Sequence, residues 1–412
     1  MRMALFKEVE DSRLLMGSPL RRRGVCVLVS AALLIVLVLA VVVHLTTIAS
    51  MSLDVALVYG RALAYSSVLA LVPLFLLWLL DRRERESPWL VAAVFLWGGC
   101  VATAIAAPFN SVFFASVNHW VAQHPGVTET LGPNAAMLVA APISAPIVEE
   151  TAKALAVLMV FWLLGAEFDG IRDGIIYGAL VGVGFNWSEV ALYVARGYAE
   201  HGIAPFGLQL GGRYALFGLG GHAMYGAIFG ASLGLAQQTR RKWLQIVAPV
   251  AGLGLAMAAH MINNALPLLE ALASAEAGDP PSQWETPPDI GFFEAFVTGS
   301  LSQLIIFLPF LVLIAVAIWR SGLWERRVIR EELASEVGGA VTADEYQDIV
   351  ADRIFHTRRI DATRRRPSAA LINAQHELAF RKRRVKDEGG DPESDPLVAA
   401  WRSDIRHLRA AV

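Results

Sequence analysis

The chain has 412 residues, of which 55% are hydrophobic and 17% are charged, so it is too apolar for an average soluble protein. Its formal net charge of −2 gives no indication of a nucleic-acid partner, and we expect none. The two cysteines, Cys26 and Cys100, both lie in apolar runs, which argues against a disulfide framework and against a cysteine-based metal site.

Eight apolar segments are long enough to cross a membrane as helices, which predicts an all-α polytopic membrane protein in contact with the lipid bilayer. These segments are approximately 24–44, 62–80, 88–108, 137–164, 174–196, 213–236, 243–266 and 299–319. The first follows three arginines, as a signal peptide does. Its apolar run exceeds the roughly 7–15 residues of a signal-peptide core, which favours a retained helix.

The charges of the connecting loops predict the orientation of the chain. The basic loop residues are Arg82, Arg83 and Arg85 between spans two and three, Arg172 between spans four and five, and Arg240, Arg241 and Lys242 between spans six and seven. The alternate loops 109–134 and 267–291 contain no Lys or Arg. Because cytoplasmic loops carry the excess of basic residues, we expect a multi-pass protein of the cell membrane with both termini in the cytoplasm.

The composition changes after the last apolar segment, which predicts three regions. We expect a cytoplasmic N-terminal segment at 1–23, a transmembrane domain at 24–319 with a catalytic core at about 130–270, and a cytoplasmic tail of soluble helices at 320–412. Basic clusters at 364–366 and 381–384 have the composition that binds anionic lipid, but we interpret them as a solvated face.

Ionisable residues occur in the central portions of only four consecutive spans, the fourth to the seventh. They are Glu149, Glu150 and Lys153, then Glu189, then His222, and then His260, which is followed one turn later by Asn264. Each lies in line with small residues four apart, such as Gly174, Gly178 and Gly182, and such stripes mark faces where membrane helices pack. Because ionisable groups within a bilayer are costly, we expect these side chains to share one embedded polar site.

The formal charges of this set indicate which chemistry it supports. The three glutamates contribute −3 and Lys153 contributes +1, which leaves −2 with neutral histidines. A divalent cation would balance this charge, and histidine with carboxylate is the ligand set of catalytic zinc. Protonation of buried carboxylates would balance it as well.

The residue types also suggest individual roles. Adjacent helical residues point about 100° apart, so one carboxylate of Glu149 and Glu150 faces the reaction centre and the other pairs with Lys153. We assign Glu149 as the general base that activates water, and Asn264 as a donor to the developing oxyanion. The expected zinc ligands are Glu189, His222 and His260.

Each of these groups also has a purely structural explanation. A Glu–Lys pair can stabilise helix packing, a histidine on a glycine stripe can form an interhelical hydrogen bond, and Asn264 can do the same. Their occurrence in four consecutive spans at similar depth favours one shared site.

The order of these motifs resembles the PrsW family of intramembrane proteases, which is related to the CAAX prenyl protease and bacteriocin-processing group. The motifs are EExxK at Glu149, Glu150 and Lys153, FxxxE at Phe185 and Glu189, the glycine-flanked His222 in GGHAMYG, and HxxxN at His260 and Asn264. The likeness covers about residues 60–320. Prenyl-protease relatives usually have a histidine where Glu189 stands and an arginine instead of Lys153, so the PrsW branch is favoured.

The resemblance implies hydrolysis of a peptide bond in a membrane-anchored protein, which in the family's best-known role is an anti-sigma factor. It implies a metalloprotease in which a glutamate activates a water held by zinc. Two other functions remain open: a transporter or proton-coupled channel that uses the same groups as a relay, and an inactive scaffold that binds a partner helix. The lack of an inverted repeat argues against the transporter.

Overall fold

The computed structural model describes residues 18–81, 87–277, 291–351 and 366–410, and these residues form helices without any β-strand. Arg82, Arg83 and Arg85, on which the predicted orientation partly rests, and the side chains of the cluster 364–366 lie outside the described part. The helices are α1 (Arg23–Ala49), α2 (Leu53–Leu80), α3 (Pro88–Ala122), α4 (Pro125–Leu131), α5 (Ala135–Leu163), α6 (Ile171–His201), α7 (Phe206–Tyr214), α8 (His222–Gln238), α9 (Lys242–Ala277), α10 (Phe292–Leu333), α11 (Ala343–Ala351), α12 (Arg366–Asp387) and α13 (Pro396–Ala410).

The polytopic all-α fold is confirmed, although the count of eight spans is not. Six described helices are long and apolar enough to cross a membrane, and α4 with α5 becomes a seventh if this pair, bent by 90°, is one span. Pro142 and Pro146 lie inside α5, which continues through both.

The largest difference from prediction is at the expected span 213–236. There the chain forms the short helix α7, then a turn, and then α8, which has only 17 residues. Gly218 and Gly221 adopt φ values of 78° and 55°, and Phe217 adopts 59°, so no helix continues through this turn. The helix therefore begins at His222, which places this side chain at a helix terminus.

Glycines bring α6 and α8 into direct backbone contact. A Cβ atom added at Gly178 would lie 2.0 Å from the carbonyl oxygen of Gly226, and one added at Gly226 would lie 2.1 Å from that of Gly178. Gly174 and Gly230 form the same reciprocal contact one turn away. The small-residue stripes predicted from the sequence thus form this interface, and α6 becomes the buried centre of the membrane domain.

Helix α3 joins α5 to α6 through a π-helical turn at Trp97–Ala102. A Cβ atom added at Gly98 would lie 1.9 Å from the carbonyl oxygen of Val181 in α6. The indole of Trp97 donates to the carbonyl of Ala152 in α5 at 3.0 Å. These contacts fix the rotation of α5 and α6, the two helices that carry the three site glutamates.

The tail forms a small helical unit with its own apolar core. Helix α10 continues without a break past residue 320, where the sequence predicted the start of the tail. The tail core is built from α10, α11, α12 and α13 and includes Val328, Leu333, Val341, Leu378, Val398 and Ile405. Arg384 of α12 donates to the carbonyls of Gly165 and Phe168, so the tail packs against the α5–α6 connection.

Candidate active site

Four helices bring the predicted ionisable side chains into one buried cluster. Helix α5 supplies three of them, α6 and α9 supply one each, and the first residue of α8 supplies another. The cluster consists of Glu149, Glu150, Lys153, Glu189, His222 and His260, all of them at most 9% exposed.

Glu150 holds one side of the cluster together. Its Oε1 accepts hydrogen bonds from Lys153 Nζ at 2.6 Å and from His260 Nδ1 at 2.8 Å. Lys153 also donates to His222 Nδ1 at 2.6 Å. Glu150 and Lys153 therefore fix the orientation of both imidazole rings, as outer carboxylates commonly do for histidines in metal sites.

Glu189 forms the opposite side of the cluster with Arg213. Its Oε2 accepts from His222 Nε2 at 2.9 Å and from Arg213 Nε at 3.1 Å. Since Nδ1 of His222 accepts from Lys153, Nε2 carries the proton that it donates here. The guanidinium of Arg213 also donates to Gln209 and lies 4.6 Å from the ring centroid of Tyr193.

Glu149 differs from the other two glutamates because one of its oxygens is unpaired. Its Oε1 accepts from Asn110 Nδ2 at 3.0 Å, and Asn110 in turn accepts from Ser144 Oγ at 2.6 Å. Its Oε2 has no hydrogen-bond partner among the described residues and lies 3.9 Å from His222 Nε2. A buried oxygen of this kind needs a proton, a water or a cation.

Sequence reasoning missed Asn110 and Arg213. Arg213 lies at the first residue of the expected sixth span, where hydropathy indicates a helix end rather than part of a site. With Arg213 included, three glutamates and two cations leave a formal charge of −1 rather than −2. A divalent cation would change this to +1, which suits a site that must stabilise an oxyanion.

Among the residues that the structure describes, Glu149, His222 and His260 form a group that could hold a metal ion. One ligand atom from each falls within 4.8 Å of the others. This group differs from the expected ligand set, which contained Glu189 in place of Glu149. Two histidines and a glutamate are a donor set that catalytic zinc uses, and the unpaired Oε2 of Glu149 gives a cation a place to bind, so the residues fit zinc.

Asn264 does not join the hydrogen bonds of the cluster. Its Nδ2 donates to the carbonyl of Ala141 in α5 at 3.3 Å, and its Oδ1 accepts from Asn263. Asn264 lies one turn beyond His260, at the interface of α9 with α5.

Aromatic rings from α6 and α8 pack against the cluster. Tyr225 stacks on His260 with centroids 4.8 Å apart, and Phe185 lies 4.4 Å from Lys153 Nζ. Phe185 is the aromatic residue of the FxxxE motif. Its cation–π contact with Lys153 explains why an aromatic side chain suits this position. The two rings shield the ammonium of Lys153 and the imidazoles of His222 and His260 from solvent.

These features define a polytopic helical membrane protein with a buried carboxylate–imidazole site. Residues 86–280, just under half of the chain, match the family model for PrsW family intramembrane metalloproteases. This region contains all six cluster residues, so the resemblance to the PrsW family is confirmed here.

A known relative shares part of this region. A stretch of 108 residues is 34% identical to Protease PrsW of Bacillus subtilis (strain 168) and covers 25% of the present chain. It spans 45% of that relative, which is less than half of its length. No solved structure matches the chain.

Proposed function

We propose that the chain is an intramembrane endopeptidase that hydrolyses a peptide bond of a membrane-anchored protein. The observation that supports this most is the unpaired, buried Oε2 of Glu149, which lies beside two fixed histidines. A hydrolase needs an oriented base of this kind next to polar groups that can hold water. On the resemblance alone, we propose an anti-sigma factor as the substrate.

Glu149 acts as the general base in this proposal. Its Oε2 takes a proton from the attacking water and returns it to the amine of the departing peptide segment. Asn110 holds Oε1, so the carboxylate turns its free oxygen toward the histidines. Asn264 is the proposed oxyanion donor, since its 3.3 Å bond to Ala141 is long and readily exchanged.

We propose zinc as the cofactor, held by His222, His260 and Glu189, with Glu150 and Lys153 as the pair next to the rings. Binding would require His222 Nε2 to release the proton that it donates to Glu189 in the metal-free arrangement. A zinc ion held by these residues would make its bound water more acidic and would polarise the scissile carbonyl. His222 Nε2 and Glu189 Oε2 lie 2.9 Å apart, a separation that suits two ligands of one zinc ion. A general base must also lie close to the reacting water, so a short distance to the histidines does not by itself make a residue a ligand. Glu149 can therefore lie within 4.8 Å of His222 and His260 as the general base, without being a zinc ligand.

Zinc content measured on purified variants distinguishes these roles. We expect stoichiometric zinc in the wild type and in Glu149→Gln, and its loss in His222→Ala, His260→Ala and Glu189→Gln. Zinc lost in Glu149→Gln but retained in Glu189→Gln would make Glu149 the ligand. A wild type without zinc would remove the metal from the mechanism and leave the hydrolysis itself to be tested separately.

Cleavage can be tested before the substrate has been identified. Membranes of cells that produce the wild type or Glu149→Gln are compared by mass spectrometry for new N-termini in membrane-anchored proteins. Glu200→Gln, which changes an exposed carboxylate of α6 paired with Arg196, is the matched control. We expect the same new N-termini with the wild type and the control and none with Glu149→Gln; identical patterns for all three would reject the proposal.

We also propose that both termini are cytoplasmic and that the tail forms a cytoplasmic unit beyond the membrane domain. The tail contacts the α5–α6 connection through Arg384 and the α8–α9 connection through Arg240 and Asp387. Basic loop residues and the tail therefore lie on one side of the helices, which supports a single cytoplasmic face.

A further inference from the structure

A cavity lies between the membrane domain and the tail, away from the polar cluster. Its volume is about 570 Å³, within the range of small-molecule sites. The last turns of α5 and α8, the first turns of α9, and α12 of the tail surround it. The cavity thus lies where the membrane helices end and the tail begins.

The inner wall of this cavity is apolar and continues to the outside of the helix bundle. Leu158, Phe161 and Pro249 line it together with Trp162 and Ile246. Trp162 is 65% exposed and Ile246 is 71% exposed. Because both residues lie at the ends of membrane helices, this side of the cavity is open to the bilayer, and tryptophan is typical of that depth.

The opposite part of the cavity carries more positive than negative charge. Its charged residues are the cations Arg240, Lys242, Arg383 and Arg384 and the anions Asp169, Asp387 and Glu388, which sum to +1. Asp387 pairs with both Arg240 and Arg383, and Asp169 pairs with Arg384. Arg383 also pairs with Glu331 and Glu332 of α10, outside the lining. Lys242 has no ion-pair partner in the part of the chain that the structure describes, so it remains available for an anion.

We propose that this cavity binds one anionic phospholipid, with the phosphate at Lys242 and an acyl chain along the apolar wall. The ligand must be amphiphilic, because the cavity combines a membrane-facing apolar wall with a basic region. A single negative charge on the ligand would pair with Lys242, the lining cation without an ion-pair partner among the described residues. Basic pockets between helices at the cytoplasmic side are known to bind lipid head groups. Since α12 forms part of the cavity, the bound lipid connects the tail to the membrane domain.

Lipid retention by the full-length purified protein tests this proposal. The protein in detergent is titrated with phosphatidylglycerol or phosphatidylcholine and its bound lipid is counted by native mass spectrometry. We expect one phosphatidylglycerol per chain and weaker retention of phosphatidylcholine. Lys242→Glu should weaken phosphatidylglycerol binding by at least about tenfold, because the substitution reverses a charge next to the phosphate.

Two further variants separate a built site from surface attraction. Arg320→Glu reverses an exposed charge of α10 outside the cavity lining and should leave binding unchanged. Ala236 of α8 also lines the cavity. Ala236→Phe keeps every charge but adds a ring to the lining, and it should displace the lipid from a protein whose melting temperature shows that it is folded. Equal binding by Lys242→Glu and the wild type, equal loss in Arg320→Glu, or displacement by millimolar inorganic phosphate would overturn the proposal.

Discussion

Asn110 and Arg213 show how individual side chains outside the motifs define the state of the cluster. Asn110 fixes one oxygen of Glu149 and thereby leaves the other free for chemistry. Arg213 neutralises Glu189, so that the two outer glutamates each have a cation while Glu149 has none. The difference between the three carboxylates therefore comes from their partners and not from their own residue type.

Asn110→Ala should lower the cleavage rate, because Glu149 would lose the donor that orients it. Loss of an orienting partner of this kind typically costs about 10–100-fold. The rate constant is measured with the substrate identified from the new N-termini, together with zinc content, which should not change. Ser116→Ala is the control, since the exposed hydroxyl of Ser116 donates to the carbonyl of Val112 in its own helix. An Asn110→Ala protein as active as this control would contradict the role.

Arg213→Ala should destabilise the protein by roughly 3 kcal/mol, because it leaves Glu189 buried without its cation. The double variant Arg213→Ala with Glu189→Gln should recover part of this loss, since it removes the uncompensated charge as well. Thermal unfolding in detergent measures both. If the loss of unfolding free energy in the double variant equals the sum of the losses in the two single variants, the two side chains are not coupled.

At the scale of helices, glycine contacts determine how closely α6 and α8 approach and therefore where Glu189 and His222 meet. A larger residue at Gly178 or Gly226 would force the two backbones apart, because the added atom would overlap a carbonyl oxygen. The 2.9 Å bond between Glu189 and His222 depends on this separation.

Gly178→Ala should lower the melting temperature and weaken cleavage, because the new methyl group would lie 2.0 Å from the carbonyl of Gly226. Gly254→Ala in α9 is the matched control, since no atom of the described residues lies within 4 Å of its added Cβ. The control should be neutral or more stable by up to about 1 kcal/mol, as alanine favours helix. Equal melting temperatures for the two variants would contradict the close contact.

The sequence predicts most of these elements, but not how they contact one another. Apolar length predicts α1, α2, α3, α5, α6, α9 and α10, and four-residue spacing predicts the face on which α6 meets α8. Neither pattern predicts the turn before His222, because that break in the helix depends on positive φ values at Phe217, Gly218 and Gly221. The partners Asn110 and Arg213 depend on helix rotation and depth, which hydropathy does not determine.

At the scale of the whole molecule, the tail is held to the membrane domain by ion pairs and stabilised internally by others. Arg172 donates to Glu325 of α10 at 2.9 Å, and Arg384 bonds the α5–α6 connection. Within the tail, burial alone would raise the pKa of Glu336, but hydrogen bonds from Arg402 and Lys382 outweigh it and lower the pKa below its usual value of 4.5.

The tail should therefore lose stability in acid. A carboxylate with a lowered pKa in the folded state stabilises fully above its unfolded pKa, near 4.5, and this contribution is lost as the pH falls through the lower folded pKa. Hydrogen exchange of tail amides, corrected for intrinsic rates, should show opening below that pH while the membrane helices stay protected. Glu336→Gln should weaken this pH dependence, and an unchanged profile would assign the acid response to other groups.

Hydrolysis by the purified protein tests the central claim, that four helices form one buried peptide-cleaving site. Wild type and Glu149→Gln are reconstituted separately in liposomes with the substrate identified from the new N-termini, in water enriched in ¹⁸O. The wild type should cleave and place ¹⁸O in the new carboxyl terminus, while Glu149→Gln, folded by its melting temperature, should leave the substrate intact. Cleavage by Glu149→Gln at the rate of the wild type would contradict the account.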